Sequence, residues 1–101
     1  MGLFSKDEKI AVVASCRAKA GVEKEVRTMF EALAVPSRKE EGCIRYDIYE
    51  DKHYTGTIFT YEEWESEEAL DKHLARAKPL LDKAKALLAG ELRISVLKKL
   101  T

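Results

Sequence analysis

The chain is poor in the residues that most often announce chemistry. It has two cysteines, two histidines and one tryptophan in 101 residues. Cys16 and Cys43 form no CxxC pair and no zinc-ligand series, so no metal site is expected. The five glycines are scattered and build no GxGxxG, which removes the usual nucleotide and flavin cradles and leaves no cofactor expected. Charge of one sign is also missing, because 18 Lys and Arg balance 18 Asp and Glu. A neutral chain lacks the basic excess that nucleic-acid binding needs. No apolar run approaches the roughly 20 residues of a membrane span. The start, Met1 to Lys9, has no apolar h-region and reads as no secretory signal. Met1-Gly2 opens like a myristoylation site, but Lys6 stands where Ser or Thr is wanted. Two free thiols without a signal point to a reducing, cytoplasmic setting.

What is present suits one folded domain over residues 1–101, with a polar lead-in at 1–8. Apolar residues make up 46%, enough for a core. Ile10 to Arg17, IAVVASCR, is short and β-branched and reads as a strand. Val22, Val26, Met29, Phe30 and Leu33 mark one face of a helix that Pro36 is expected to end or kink. Ile44, Tyr46 and Ile48 alternate with Arg45, Asp47 and Tyr49 as in a strand. Asp51 to Gly56 is turn chemistry, and Thr57 to Trp64 is a third strand. Ser66 reads as the N-cap of a second helix, which Pro79 is expected to interrupt and restart. Leu80, Leu81, Ala84, Leu87 and Leu88 continue its stripe to Gly90, and Glu91 to Leu97 is the last strand.

The order β-α-β-β-α-β is the ferredoxin-like α+β plan, an antiparallel sheet with both helices on one face. The first strand is apolar on both faces, with Ile10, Val12 and Ala14 on one and Ala11 and Val13 on the other. The chain has no third layer for the second face. A homodimer packed sheet against sheet, closing an α/β barrel, is the expected answer.

Three stretches carry a family likeness: Glu41-Gly42-Cys43, Tyr61-Glu62-Glu63-Trp64, and the run from Ser66 through Ala69-Leu70 to His73. Together they resemble the antibiotic biosynthesis monooxygenase family of dimeric α/β barrels. The resemblance implies a cofactor-free monooxygenase acting with dioxygen on a small reduced aromatic, such as a quinol, an anthrone or a polyketide phenol. The same superfamily holds haem-degrading enzymes, isomerases and lyases, and members without settled activity. Lys78 stands where many relatives carry a second His, and IAVVASC lacks the Asn that haem-degrading relatives use. Haem binding through His73 and a non-catalytic small-molecule-binding dimer are the alternatives.

The candidate site follows from residue type and face. His73 is the one histidine on an apolar helical face, and imidazole moves protons near neutral pH. It is the candidate base, or else a core histidine. Trp64 and Tyr61 are the candidates for positioning an aromatic ring, with ordinary packing as the plainer role. Tyr46 or Tyr61 can donate to a substrate oxygen. Glu62 shares the strand face of Trp64, and if buried needs a partner, with Arg45 and Arg93 the candidates. The pocket is expected between helices and sheet, lined by Trp64, His73, Val26, Phe30 and Leu70.

Overall fold

A computed structural model of the chain describes residues 8–101. The Met1-Gly2 start and the lead-in up to Asp7 lie outside the described residues. The elements are β1 (Ile10–Arg17), α1 (Glu23–Arg38), β2 (Cys43–Glu50), β3 (Thr57–Trp64), α2 (Glu67–Lys85) and β4 (Arg93–Leu97). They form one four-stranded sheet in the order β2-β3-β1-β4, antiparallel at every pairing, in the ferredoxin-like α+β arrangement. The two central strands of the sheet, β3 and β1, lie side by side with Ile10 opposite Trp64 and Arg17 opposite Thr57.

Alternation decides the faces. Ile10, Val12, Ala14 and Cys16 of β1 are buried, as are Ile58, Thr60, Glu62 and Trp64 of β3. These eight side chains form the middle of the sheet's inner face, which Tyr46 of β2 extends. Val26, Phe30, Ala34 and Ser37 on α1 are buried, as are Ala69, Leu70, His73, Ala77 and Ala84 on α2. The i, i+4, i+8 spacing of each set is the helical period that turns one stripe toward the sheet.

Four details depart from the expectation. Pro36 and Pro79 break neither helix: α1 runs on to Arg38 and α2 is continuous to Lys85. A proline removes one N–H and orphans the carbonyl four residues earlier. Here those residues, Ala32 and Ala75, are exposed, where an orphaned carbonyl is within reach of solvent and costs little. Ile44 does not alternate inward with Tyr46, because the β2–β3 register shifts between Cys43 and Arg45. The bulge leaves Ile44 45% exposed and turns Cys43 against the core instead. Leu87 and Leu88 lie beyond α2, where Leu88 forms an isolated bridge to Ala18. The last strand begins at Arg93 rather than Glu91.

Among the described residues no layer covers the outer sheet face. Its rows read Arg45–Glu63–Ala11–Leu97, Asp47–Tyr61–Val13–Ser95 and Tyr49–Phe59–Ser15–Arg93 across the four strands. Cys16 and Cys43 are free thiols, kept apart by the placement of β3 between their strands. Among the described residues no helix is long and apolar enough to cross a membrane.

Candidate active site

A strand of period two places Thr60, Glu62 and Trp64 in a row on the inner face of β3. The row is polar where a core is normally hydrocarbon. Glu62 is 4% exposed and must find partners. It does so locally. The Trp64 indole N–H donates to Oε1 of Glu62 at 2.9 Å, and the Thr60 hydroxyl donates to Oε2 at 2.7 Å. Thr60 Oγ1 in turn accepts the Ala14 backbone N–H at 3.2 Å, tying the row to β1.

From above, α2 lowers His73 onto this row. Ser66 caps the helix by accepting the Ala69 N–H at 3.2 Å, and His73 follows one turn after Ala69 on the buried stripe. Its ring lies 4.7 Å from that of Trp64 and 5.2 Å from that of Tyr46, and is 2% exposed. Nε2 stands 4.0 Å from Glu62 Oε1, beyond hydrogen-bond reach. Nδ1 meets Oε1 of Glu40 at 2.7 Å. The other oxygen of Glu40 lies 3.7 Å from a guanidinium nitrogen of Arg76, one turn further along α2.

Glu40 belongs to the short connection between α1 and β2. Its backbone is held at both sides: its N–H donates to Ser37 O and its carbonyl accepts from Cys43 N, each at 3.1 Å. Gly42 follows with φ +86°, and a Cβ there would stand 2.5 Å from the Ala69 Cβ. Only glycine therefore lets this connection pass so close to the start of α2. Gly42 O also accepts the Glu65 N–H at 2.8 Å. These contacts seat Glu40 against His73.

Tyr46 completes the cluster from β2. It is 2% exposed, stands edge-on to Trp64 at 6.4 Å and hydrogen-bonds to the Ser37 side chain. Burial, reinforced by the nearby Glu62 charge, pushes its hydroxyl well above the usual phenol range. Tyr46 is thus a proton-bearing hydrogen-bond group here. Burial also raises the Cys43 thiol, with Glu40 and Glu62 adding to it, so Cys43 is a poor nucleophile.

His73, Glu62, Thr60 and Tyr46 face a cavity whose apolar walls include Phe30, Leu33, Leu74 and Ile94. About 20 Å³ is open in it to the centre of a water-sized sphere, room for one water molecule. Leu92 and Ile94 belong to its lining on the β4 side, and Ile94 is 41% exposed. That strand pairs with β1 alone, and all five of its residues are exposed.

The structure brings together His73, Glu62, Tyr46 and Phe30 as expected, and separates the rest. Trp64 is fully buried behind His73 and Glu62, and holds Glu62 rather than lining the cavity. Leu70 packs with Trp64, also behind the cavity. Val26 lies in the other core cluster, with Ile58 and Leu88. Tyr61 is on the outer face, because its position in β3 has odd parity relative to Glu62. Its hydroxyl donates to Glu63 at 3.0 Å and the Arg45 guanidinium lies 5.4 Å over its ring. Neither arginine reaches Glu62: Arg45 pairs with Asp47 on the outer face, and Arg93 is exposed opposite Ser15. Glu40, Thr60, Ser37 and Arg76 belong to the cluster and were not singled out from the sequence. Thr60 carries the parity signal of Glu62 and was findable. Glu40 sits in a charged turn with no period, and Arg76 looks like its solvated neighbours. Among the described residues no group of three or more His, Cys, Asp or Glu is arranged to hold a metal.

With this geometry in hand, the chain can be set beside known proteins. The sequence model described as antibiotic biosynthesis monooxygenase matches residues 9–79. An uncharacterised protein of Synechocystis sp. is 30% identical over 94 residues, which are 91% of this chain and 64% of that protein. Rv0793 of Mycobacterium tuberculosis, provisionally named a monooxygenase, is 33% identical over 64 residues, 63% of this chain and 62% of its own. The chain thus spans less than two thirds of the length of these curated relatives. The solved structure of Rv0793 matches with a TM-score of 0.86 at 27% identity, covering 93% of this chain and 97% of that one. That of PA3566 from Pseudomonas aeruginosa matches with a TM-score of 0.82 at 27% identity, covering 97% and 100%.

Proposed function

The chain belongs to the antibiotic biosynthesis monooxygenase family, and we propose that it oxidises a small reduced aromatic with dioxygen, without a cofactor. The observation that carries this reading is His73. One ring nitrogen is held by a carboxylate at 2.7 Å, and the ring lines a narrow, mostly apolar cavity. That is the arrangement of a general base in a water-poor site.

The substrate class is a quinol, an anthrone or a related polyketide phenol. His73 takes the acidic proton of the bound ring at Nε2, and the imidazolium that forms lies between Glu40 and Glu62. The electron-rich anion then reduces dioxygen directly. For a CH2 flanked by aromatic rings, a C–O bond forms and the peroxide takes up the proton. Loss of water breaks the O–O bond and leaves a carbonyl. One oxygen atom ends in the product, and the other leaves as water with the two hydrogens of the carbon. Tyr46 lines the same cavity and supplies a hydroxyl group near the developing oxyanion. Admission of a ring requires the lining to move, and the Leu92 and Ile94 side is free to do so because β4 is a short edge strand paired with β1 alone. Haem fits this site less well, since Glu62 stands 4.0 Å from the nitrogen that would ligate the iron.

The outer face is proposed to pack on a second copy of the chain. Ala11, Val13, Phe59 and Leu97 form its apolar middle and edge. Light scattering at micromolar concentration tests this, with a mass of twice 11.4 kDa expected.

The activity test is oxygen uptake by metal-stripped protein offered dihydroquinones and anthrones. Uptake is expected, and is expected to fall by about 10²–10⁴-fold in His73→Ala. Uptake by neither protein, or equal uptake by both, rejects the reading.

A further inference from the structure

We infer that Glu40 is the positioning residue of the site: it fixes His73 as the Nδ1–H tautomer, so that the Nε2 lone pair faces the cavity. The inference rests on the proposed role of His73 as base. It goes beyond that role, because a base needs its free nitrogen on the substrate side, and an unrestrained imidazole does not choose it.

The local hydrogen bonding leaves one self-consistent assignment. A carboxylate oxygen accepts only, so the Nδ1 that meets Glu40 Oε1 at 2.7 Å carries the proton. On the other side, both oxygens of Glu62 are already occupied, one by the Trp64 indole N–H and one by the Thr60 hydroxyl. At 4.0 Å, Glu62 does not compete for the ring proton as the structure stands. Without Glu40 the balance reverses. A neutral imidazole with nothing at Nδ1 favours the Nε2–H form, and Glu62 is then the nearby acceptor charge. The lone pair would point at the emptied Glu40 position rather than into the cavity.

Glu40 is also built to hold still. Its side chain is 12% exposed, against 76% for Glu68 on the surface of α2. Arg76 lies 3.7 Å from its second oxygen. The turn is pinned by the Ser37 and Cys43 backbone bonds and by the close approach of Gly42 to Ala69. A carboxylate this confined beside an imidazole orients the ring and balances the charge that appears when Nε2 is protonated. The titratable and charged groups around the ring are Glu40 from the α1–β2 connection, Glu62 from β3, the Tyr46 phenol and Cys43 thiol from β2, and Arg76 on α2 itself.

The test reads the tautomer directly. His73 is observed by ¹⁵N NMR of the full chain, at a pH high enough for the ring to be neutral. The His53→Gln background removes the other histidine signal. The native side chain is expected as the Nδ1–H form. Glu40→Gln keeps an oxygen acceptor and is expected to keep that form, with its charge lost. Glu40→Ala is expected to convert the ring to Nε2–H. With an active substrate, Glu40→Ala lowers kcat by about tenfold or more, with Glu40→Gln in between and KM little changed. An Nε2–H ring in the native protein, or no change in Glu40→Ala, overturns the inference. A tautomer switch in a protein that takes up no oxygen upholds Glu40 and rejects the oxygenase reading, so the two fail separately. Circular dichroism of each variant identifies one that does not fold, and the tautomer of the native ring, which needs no substitution at Glu40, then carries the test.

Discussion

The two ends of β3 face the same helices and are made of opposite material. At one end Ile58 packs with Cys16, Val26, Phe30, Ala84 and Leu88, all hydrocarbon or thiol. Four residues on, Glu62 sits among Trp64, Thr60, His73 and Tyr46. Both ends are dry: Ile58 is 1% exposed and Glu62 4%. Burying Ile58 stabilises the fold through area removed from water. Burying Glu62 costs free energy that its hydrogen bonds at best offset. No buried side-chain nitrogen or oxygen among the described residues lacks a partner, so the offset is complete in number. A protein needing only stability would have continued the hydrocarbon. The polar end is where the fold spends its packing on orientation, and one strand shows the core divided between holding the fold and holding the site.

Substitutions can sharpen or break that division. The largest stability effect is expected at the dry end. Ile58→Ala should cost about 2–5 kcal/mol in urea unfolding, as large-to-small core changes do. Oxygen uptake per folded molecule should survive it. If uptake is lost while the molecule stays folded, the two ends are not separate. At the polar end, Glu62→Leu should cost about 1–3 kcal/mol, because it strands the Trp64 N–H and Thr60 hydroxyl. Glu62→Gln keeps one acceptor for the Trp64 N–H, and its amide can donate to the Thr60 oxygen, so it should cost less. A Leu variant as stable as the native protein would mean that the polar row contributes nothing to holding its neighbours.

Gly42→Ala should cost more than about 1 kcal/mol, since alanine disfavours a φ of +86° and its methyl would meet Ala69. It should also loosen Glu40 from His73, which the ¹⁵N spectrum of the ring would register. The smallest effect is a pH dependence shared by both ends. Burial pushes the Cys16 thiol to about 11 and raises the Tyr46 phenol, each from lower ordinary values. Both are neutral when protonated, and the folded state keeps them so. Their contribution is therefore whole below the ordinary thiol range and is lost as pH rises from there through the folded values. Urea midpoints should fall between pH 9 and pH 11. Cys16→Ala and Tyr46→Phe should each flatten that fall, and an unchanged slope in both would reject this origin.

Much of this was readable before any coordinates. IAVVASCR and TIFTYEEW announce β1 and β3 over the residues they occupy, because period two and β-branched side chains act locally. The same parity puts Glu62 and Trp64 on one face, and helical spacing puts His73 inside. Locality also explains the errors. The proline expectations overweighted one missing N–H, whose cost depends on whether the orphaned carbonyl meets water. Ile44 faced outward because a bulge inserts one residue, and a register shift is a property of two strands. Tyr61 was grouped with Trp64 by chemistry, although parity alone already placed it on the opposite face.

The sequence by itself determined the element order, the two-faced sheet and the inward side of each segment, since these follow from spacing along one chain. Tertiary structure decided which buried groups meet. Glu40 and His73 are 33 positions apart and touch through a glycine that lets a turn lie against a helix. Glu62 was expected to pair with a cation, and instead accepts from an indole and a hydroxyl two residues to either side. The Glu40–His73 contact depends on a distance of a few ångströms between elements, and hydrogen bonds weaken steeply beyond that range. No pattern of residue types along the chain encodes that contact, whereas parity puts Thr60, Glu62 and Trp64 in one row of β3.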